Sequence, residues 1–82
     1  MSARFYGGSL DGRMREVTTG ARRVVVAADD RTRETYARDH EMDGYDVDAP
    51  FRKIFAYKLE LTERCVRHEE HDIGTCRYEV VL

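Results

Sequence analysis

Two stretches of this chain place apolar side chains at every second position. Between Phe51 and Cys65, the residues Phe55, Tyr57, Leu59, Leu61 and Cys65 share one face of an extended strand, and Lys58, Glu60, Thr62 and Arg64 share the other. The last seven residues alternate as well, with Cys76, Tyr78, Val80 and Leu82 against Arg77 and Glu79. Folding the two antiparallel about the intervening polar loop sets Cys65 opposite Cys76, Leu61 opposite Val80 and Leu59 opposite Leu82. A slip of one residue would turn one strand's apolar set to water. This terminal hairpin is the expected centre of the fold.

Upstream, Arg4-Phe5-Tyr6 predicts a short strand that ends in Gly7-Gly8-Ser9-Leu10-Asp11-Gly12, a turn rich in residues that accept positive φ. Strands are predicted over 13–18 and 21–28, separated by Thr19-Gly20. In the second, Val24 and Val26 face one way and Val25 the other, which suits a strand buried on both sides. The first third therefore reads as a three-stranded meander. Residues 29–38 are read as a helical turn or irregular segment, with Asp29 or Asp30 as cap and Glu34 and Arg38 as an i,i+4 pair. Thr32, Glu34 and Tyr36 also alternate as an edge strand would. Residues 39–50 carry five acids and no base and close on Pro50, so they are expected to form an acidic loop. The fold class that follows is a single domain over 1–82, mainly β and mostly antiparallel, of about five strands with room for one short helix.

With 82 residues and 41% apolar content, the chain has enough material for one modest core. Its 14 basic and 16 acidic residues nearly cancel, which argues against a general nucleic-acid or anionic-membrane binder. Twelve of the basic residues are Arg, which fits a GC-rich coding genome. No apolar segment near Met1 resembles a signal peptide, and the longest aliphatic run, from Val24 to Ala28, is too short to span a bilayer. The two cysteines are accordingly expected to be reduced in a cytoplasmic setting.

Candidate chemistry gathers in the terminal hairpin, where Cys65, His68, His71 and Cys76 form a C-x2-H-x2-H-x4-C spacing. Thiolates and imidazoles are the ligands of tetrahedral zinc, although four in one loop reach good geometry with difficulty. The plainer reading is a pair of buried thiols under a charged loop, and a Cys65–Cys76 disulfide also fits the geometry. Asp39-x-Glu41-x-Asp43-Gly44 resembles the start of a calcium loop, but the twelfth position, where a bidentate Glu belongs, is Pro50. Arg22-Arg23 and Arg31-x-Arg33 with Tyr36 suggest a basic and aromatic surface, although residues 1–38 hold eight Arg against five acids. No nucleophile motif or phosphate-cradling loop is present, so no catalytic residue is assigned.

The opening Phe5-Tyr-Gly-Gly-Ser-Leu-Asp-Gly-Arg13, together with Tyr57-Lys-Leu59, Gly74 and Tyr78-Glu-Val80, resembles small proteins from phages and prophages of high-GC Gram-positive bacteria. Those proteins open with an aromatic, Gly-Gly-x-x-Asp-Gly and a charged strand, and close with a Tyr-x-Leu strand and an aromatic-rich last strand. The match covers about half of the chain. Ser9 stands where the family's turn usually has Pro, and the last strand lacks the family's Trp. The resemblance implies a phage-type origin and a small β fold, and it transfers no catalytic or binding residue.

The expected function is a non-enzymatic protein–protein interaction, as a small virion component or a host-factor-binding protein in the bacterial cytoplasm. The partner is another protein or a second copy, with Tyr6, Tyr36, Tyr45 and Phe51 as the aromatic contact residues. The alternatives are a small zinc-stabilised domain built on Cys65, His68, His71 and Cys76 and, third, a nucleic-acid-binding module.

Overall fold

In the computed structural model, which describes residues 1–43, 53–66 and 76–81, the chain forms one six-stranded sheet around a long antiparallel ribbon. The ribbon pairs β4 (Thr32–Asp43) with β5 (Lys53–Val66), from Thr32 opposite Arg64 to Asp43 opposite Lys53. The other edge of β5 is shared. β1 (Ser2–Tyr6) runs parallel to its first half, and β6 (Arg77–Val80) runs antiparallel to its second half. β2 (Met14–Glu16) pairs with β1, and β3 (Arg23–Ala27) pairs with β4, so β2 and β3 form opposite edges of the five-strand order β2-β1-β5-β4-β3. At roughly 3.3 Å per residue a strand as long as β5 runs about 45 Å. The molecule is accordingly elongated, at 54 × 23 × 20 Å. Its radius of gyration is 15.5 Å, where a compact chain of this length would have about 12 Å.

The mainly β, single-sheet class agrees with the reading of the sequence, but several elements differ. Residues 32–43 are strand, not helix or acidic loop: Thr32, Glu34 and Tyr36 take the alternation of an extended chain, and the first half of the strand is interior because β3 covers its outer edge from Arg33 to Ala37. The meander is replaced by a crossover. After β2 the link 17–22 passes over the face that carries Phe5 and Tyr57 to the far edge, held there by the Tyr57 hydroxyl, which donates to the Ala21 carbonyl. The terminal hairpin is a minor partner of β5, and its register is two residues from the expected one, with Cys65 opposite Tyr78 and Glu63 opposite Val80. A bulge also breaks the expected apolar face of β5. Thr35 pairs with Leu61 and Tyr36 with Leu59, so Glu60 is an extra residue that turns Leu61 away from the face of Leu59. Asp39 is the compensating extra residue in β4, between Arg38 opposite Tyr57 and His40 opposite Ala56.

The core lies on one face of the sheet. Ala3, Phe5, Tyr36 and Tyr57 are essentially inaccessible there, and Leu10 joins them from the turn. Phe5 meets Tyr36 edge to face at 4.9 Å between ring centroids and stacks on Tyr57 at 5.5 Å, arrangements that add to the burial of the rings. Val24 and Val26 face this core while Val25, on the other side of an edge strand, is 59% exposed. The expectation of a doubly buried strand therefore fails at Val25.

A candidate binding groove and an open strand edge

The turn between β1 and β2 is clamped onto the core by buried polar groups. Residues Gly8–Leu10 form a single 3-10 turn, preceded by Gly7 at φ 83°. The Glu34 carboxylate, buried on β4, accepts the Ser9 N–H at 3.0 Å and the Ser9 hydroxyl. The Tyr36 hydroxyl donates to the Gly7 carbonyl at 2.8 Å and accepts the Leu10 N–H at 3.1 Å. Both β4 side chains thus replace the partners that the turn's backbone loses on leaving the sheet. Burial raises the pKa of the Tyr36 phenol above its ordinary value, which keeps the hydroxyl able to donate. Glycine is required at position 8. Its φ is +63°, and a Cβ there would lie 2.3 Å from Glu34 Oε2 and 2.6 Å from Tyr36 Oη. Sequence reasoning missed this latch because Ser9 and Glu34 lie 25 residues apart and nothing local marks a buried Glu as an acceptor for a turn.

Between this clamped turn with β2 on one side and β3 on the other, the core face opens as a groove of about 310 Å³. Its floor is apolar, from Phe5, Leu10, Val17, Val24 and Val26, and Arg15 and Glu16 stand on one rim. The opposite rim is β3. The alternation of its bonds to β4 is set by the Arg38 N–H donating to the Arg22 carbonyl and the Ala28 N–H to the Thr32 carbonyl. Arg22, Val24, Val26 and Ala28 thus bond inward, and Arg23, Val25 and Ala27 turn their N–H and C=O groups away from the sheet.

The residues singled out in the sequence are placed differently. Tyr36 is wholly buried and is a core residue, not a contact aromatic. Tyr6 is half-buried on the face opposite the core, with its hydroxyl 3.7 Å from Met42 Sδ. Tyr45, Phe51, His68 and His71 lie outside the described residues. Cys65 and Cys76 are joined in a disulfide, with Cα atoms 5.2 Å apart, which corrects the expectation of reduced thiols. The bridge is diagonal to the strand register and ties the start of β6 to β5. A zinc site on these sulfurs would require the reduced chain. Near the bridge, Asp30 and Arg31 line a hollow of about 200 Å³, and the Cys65 N–H donates to the Arg31 carbonyl at 2.6 Å.

The resemblance to a calcium loop also dissolves. Asp39, Glu41 and Asp43 sit on β4, where Asp39 pairs with His40 at 2.5 Å and Lys58 at 3.2 Å, and Asp43 pairs with Lys53. Bonding to His40 first, then to Lys58, holds the Asp39 carboxyl below its ordinary range. The basic and aromatic surface is divided by acids of β5. Arg23 grips Glu60 through two bonds of 2.8 and 3.1 Å, which lowers the Glu60 pKa. Arg33 grips Glu63 and lies 3.8 Å over the Tyr78 ring. Among the described residues no cluster of His, Cys, Asp or Glu could hold a metal ion, and no helix is long and apolar enough to cross a membrane. Comparison of the chain with protein-family models, with curated proteins and with solved structures finds no match, so the functional reading stands on the chain's own residues.

Proposed function

We propose that this is a non-enzymatic interaction protein of phage type, acting as a small virion component or as a binder of a host protein, in the host cytoplasm or in the virion. The observation that carries the reading is the groove. An apolar floor next to the core, bounded by an arginine and a glutamate on one side and a strand on the other, suits an apolar anchor side chain of another protein. Its volume lies at the lower end of the range for small-molecule sites. The resemblance of both chain ends to small phage and prophage proteins supports the origin.

The test is affinity capture from a phage-infected actinobacterial lysate with the wild-type protein and with Val26→Glu, which places a charge on the groove floor. A protein retained by the wild type and lost by the variant, with the variant's far-ultraviolet circular dichroism unchanged, supports the reading. Equal retention by both, or by neither, overturns it.

A further inference from the structure

We infer that the outer edge of β3 pairs antiparallel with β3 of a second copy about a two-fold axis at Val25, joining two sheets into one.

The three outer strands are unequally protected. β2 is three residues long and carries Arg15 and Glu16, and β6 alternates Arg77 and Glu79. Short length and charge are the usual means by which an edge resists pairing. β3 has neither in its centre: Val24-Val25-Val26-Ala27 contains no charge, no proline and no bulge against β4. Val25 at its midpoint is 59% exposed, more than the other exposed large apolar residues among those described.

The two ends of the edge select the partner and its direction. The strand is entered through Arg22 and Arg23 and left through Asp29 and Asp30. Arg22 and Asp30 are both exposed and have no ion-pair partner among the described residues. An antiparallel second copy sets the basic entry of each strand against the acidic exit of the other. A parallel copy would set like charges together, which is repulsive. With Val25 opposite Val25, Arg23 falls opposite Ala27, and Arg22 comes to the end of the contact where the other copy's Asp29–Asp30 turn leaves the strand. The residues that meet as hydrogen-bonded pairs are then Arg23, Val25 and Ala27, the same ones whose backbone groups point outward in one copy. Because the patch is its own complement, the contact closes at two copies and does not propagate into a fibre.

The inference goes beyond the groove reading, since self-pairing and capture of another protein are separate properties. Sedimentation equilibrium with native mass spectrometry of the oxidised protein is expected to give a concentration-dependent dimer. Amide exchange adds a signature particular to this edge. Val24 and Val26 are protected at all concentrations, whereas Arg23, Val25 and Ala27 become protected only as the dimer forms. Val25→Pro removes an N–H that the sheet of one copy does not use, and edge strands tolerate proline there. It is expected to weaken the dimer by about a hundredfold or more. Arg22→Asp should weaken it too, and adding Asp30→Arg should restore it, which keeps the test decisive if the proline variant folds poorly. A monomer at every concentration overturns the inference and leaves the groove reading in place. A dimer in which the odd-numbered amides stay exposed, or one indifferent to the charge swap, overturns it as well. So does protection of those amides only when a different protein is added.

Discussion

The two halves of β5 are held by different chemistry. Its first half lies between β1 and β4, where Ala56 and Tyr57 are inaccessible and Phe5, Tyr36 and the clamped turn close over the aromatic core. Its second half lies between β6 and β4, where Cys65 is buried but Arg64 and Val66 are exposed and Glu63 is partly covered. There the ladder is fastened by a disulfide, by the Arg33–Glu63 pair and by Arg33 over Tyr78. Packed apolar area stabilises the first region, and point attachments along an otherwise solvated ribbon hold the second. Regions with few buried contacts open at lower free energy than the core, so the ribbon's far end should separate from the rest before the domain unfolds.

The largest expected effect is in the first region. Phe5→Ala removes a fully buried ring in contact with two others and should cost about 4 kcal/mol in urea unfolding. Val80→Ala, at a side chain 53% exposed on β6, should change stability very little. Similar losses for the two would show that the domain does not divide as described.

Next comes the disulfide. Closing a loop with its ends 11 residues apart is worth about 3 kcal/mol in the chain-entropy account. If β6 is a separate unit, reduction should release that strand and spare the core: the amides of Arg77 to Val80 lose protection while those around Phe5 and Tyr57 keep theirs. A fall in core protection equal to that of β6 would make the two halves one cooperative unit.

A third test returns to the core from its polar side. Gly8→Ala introduces a Cβ into the Glu34 and Tyr36 oxygens at a φ that favours glycine, and should cost about 2 kcal/mol. The loss should fall on the amides of Ser9 and Leu10 first, and a variant as stable as the wild type would mean that the turn moves freely over β4.

The same division governs how much of the molecule could be read in advance. Local pattern and turn signals identified β1, β2, β3, β5 and β6, because they are properties of one strand and its flanks. Periodicity failed where strands are bent. Glu60 is extra in β5 and Asp39 in β4, and each turns the residues beyond it to the opposite face, so the single apolar face expected from Phe55 to Cys65 is broken at Leu61. Residues 32–43 were misjudged because their charges mimic a helix with i,i+4 pairing and then an acidic loop. Two of their acids, Asp43 and Asp39, are instead matched by Lys53 and Lys58 across the ladder, a pairing set by tertiary register. Parallel pairing of β1 with β5 leaves no mark in either strand alone. The groove is least legible, since its lining includes Val17, Val24 and Leu10, brought together only when the link 17–22 crosses the core face. Cys65 and Cys76 were recognised as neighbours, but the compartment argument favoured free thiols over the bond that forms.

The smallest effects separate the regions by pH. Asp29, Asp39 and Glu60 all lie outside the core, and their pKa values are lowered by the Arg31 backbone N–H, by His40 and then Lys58, and by Arg23. A carboxyl with a lowered folded pKa contributes stability above its unfolded value and loses it as pH falls through the folded one. Acidification below the ordinary carboxylate range should therefore loosen the ribbon and the β3 end gradually. Each step should be modest because these groups are solvated. The core answers at the other end of the scale. Burial raises the Tyr36 and Tyr57 phenols, so above the ordinary tyrosine range the unfolded chain ionises first and stability falls as pH rises. Tyrosinate absorbance followed against pH should show these two phenols ionising above the ordinary tyrosine range and together with loss of near-ultraviolet circular dichroism. Early ionisation of Tyr36 would mean that the turn over it opens without the core, and the boundary between the two regions would then run through the Glu34 latch.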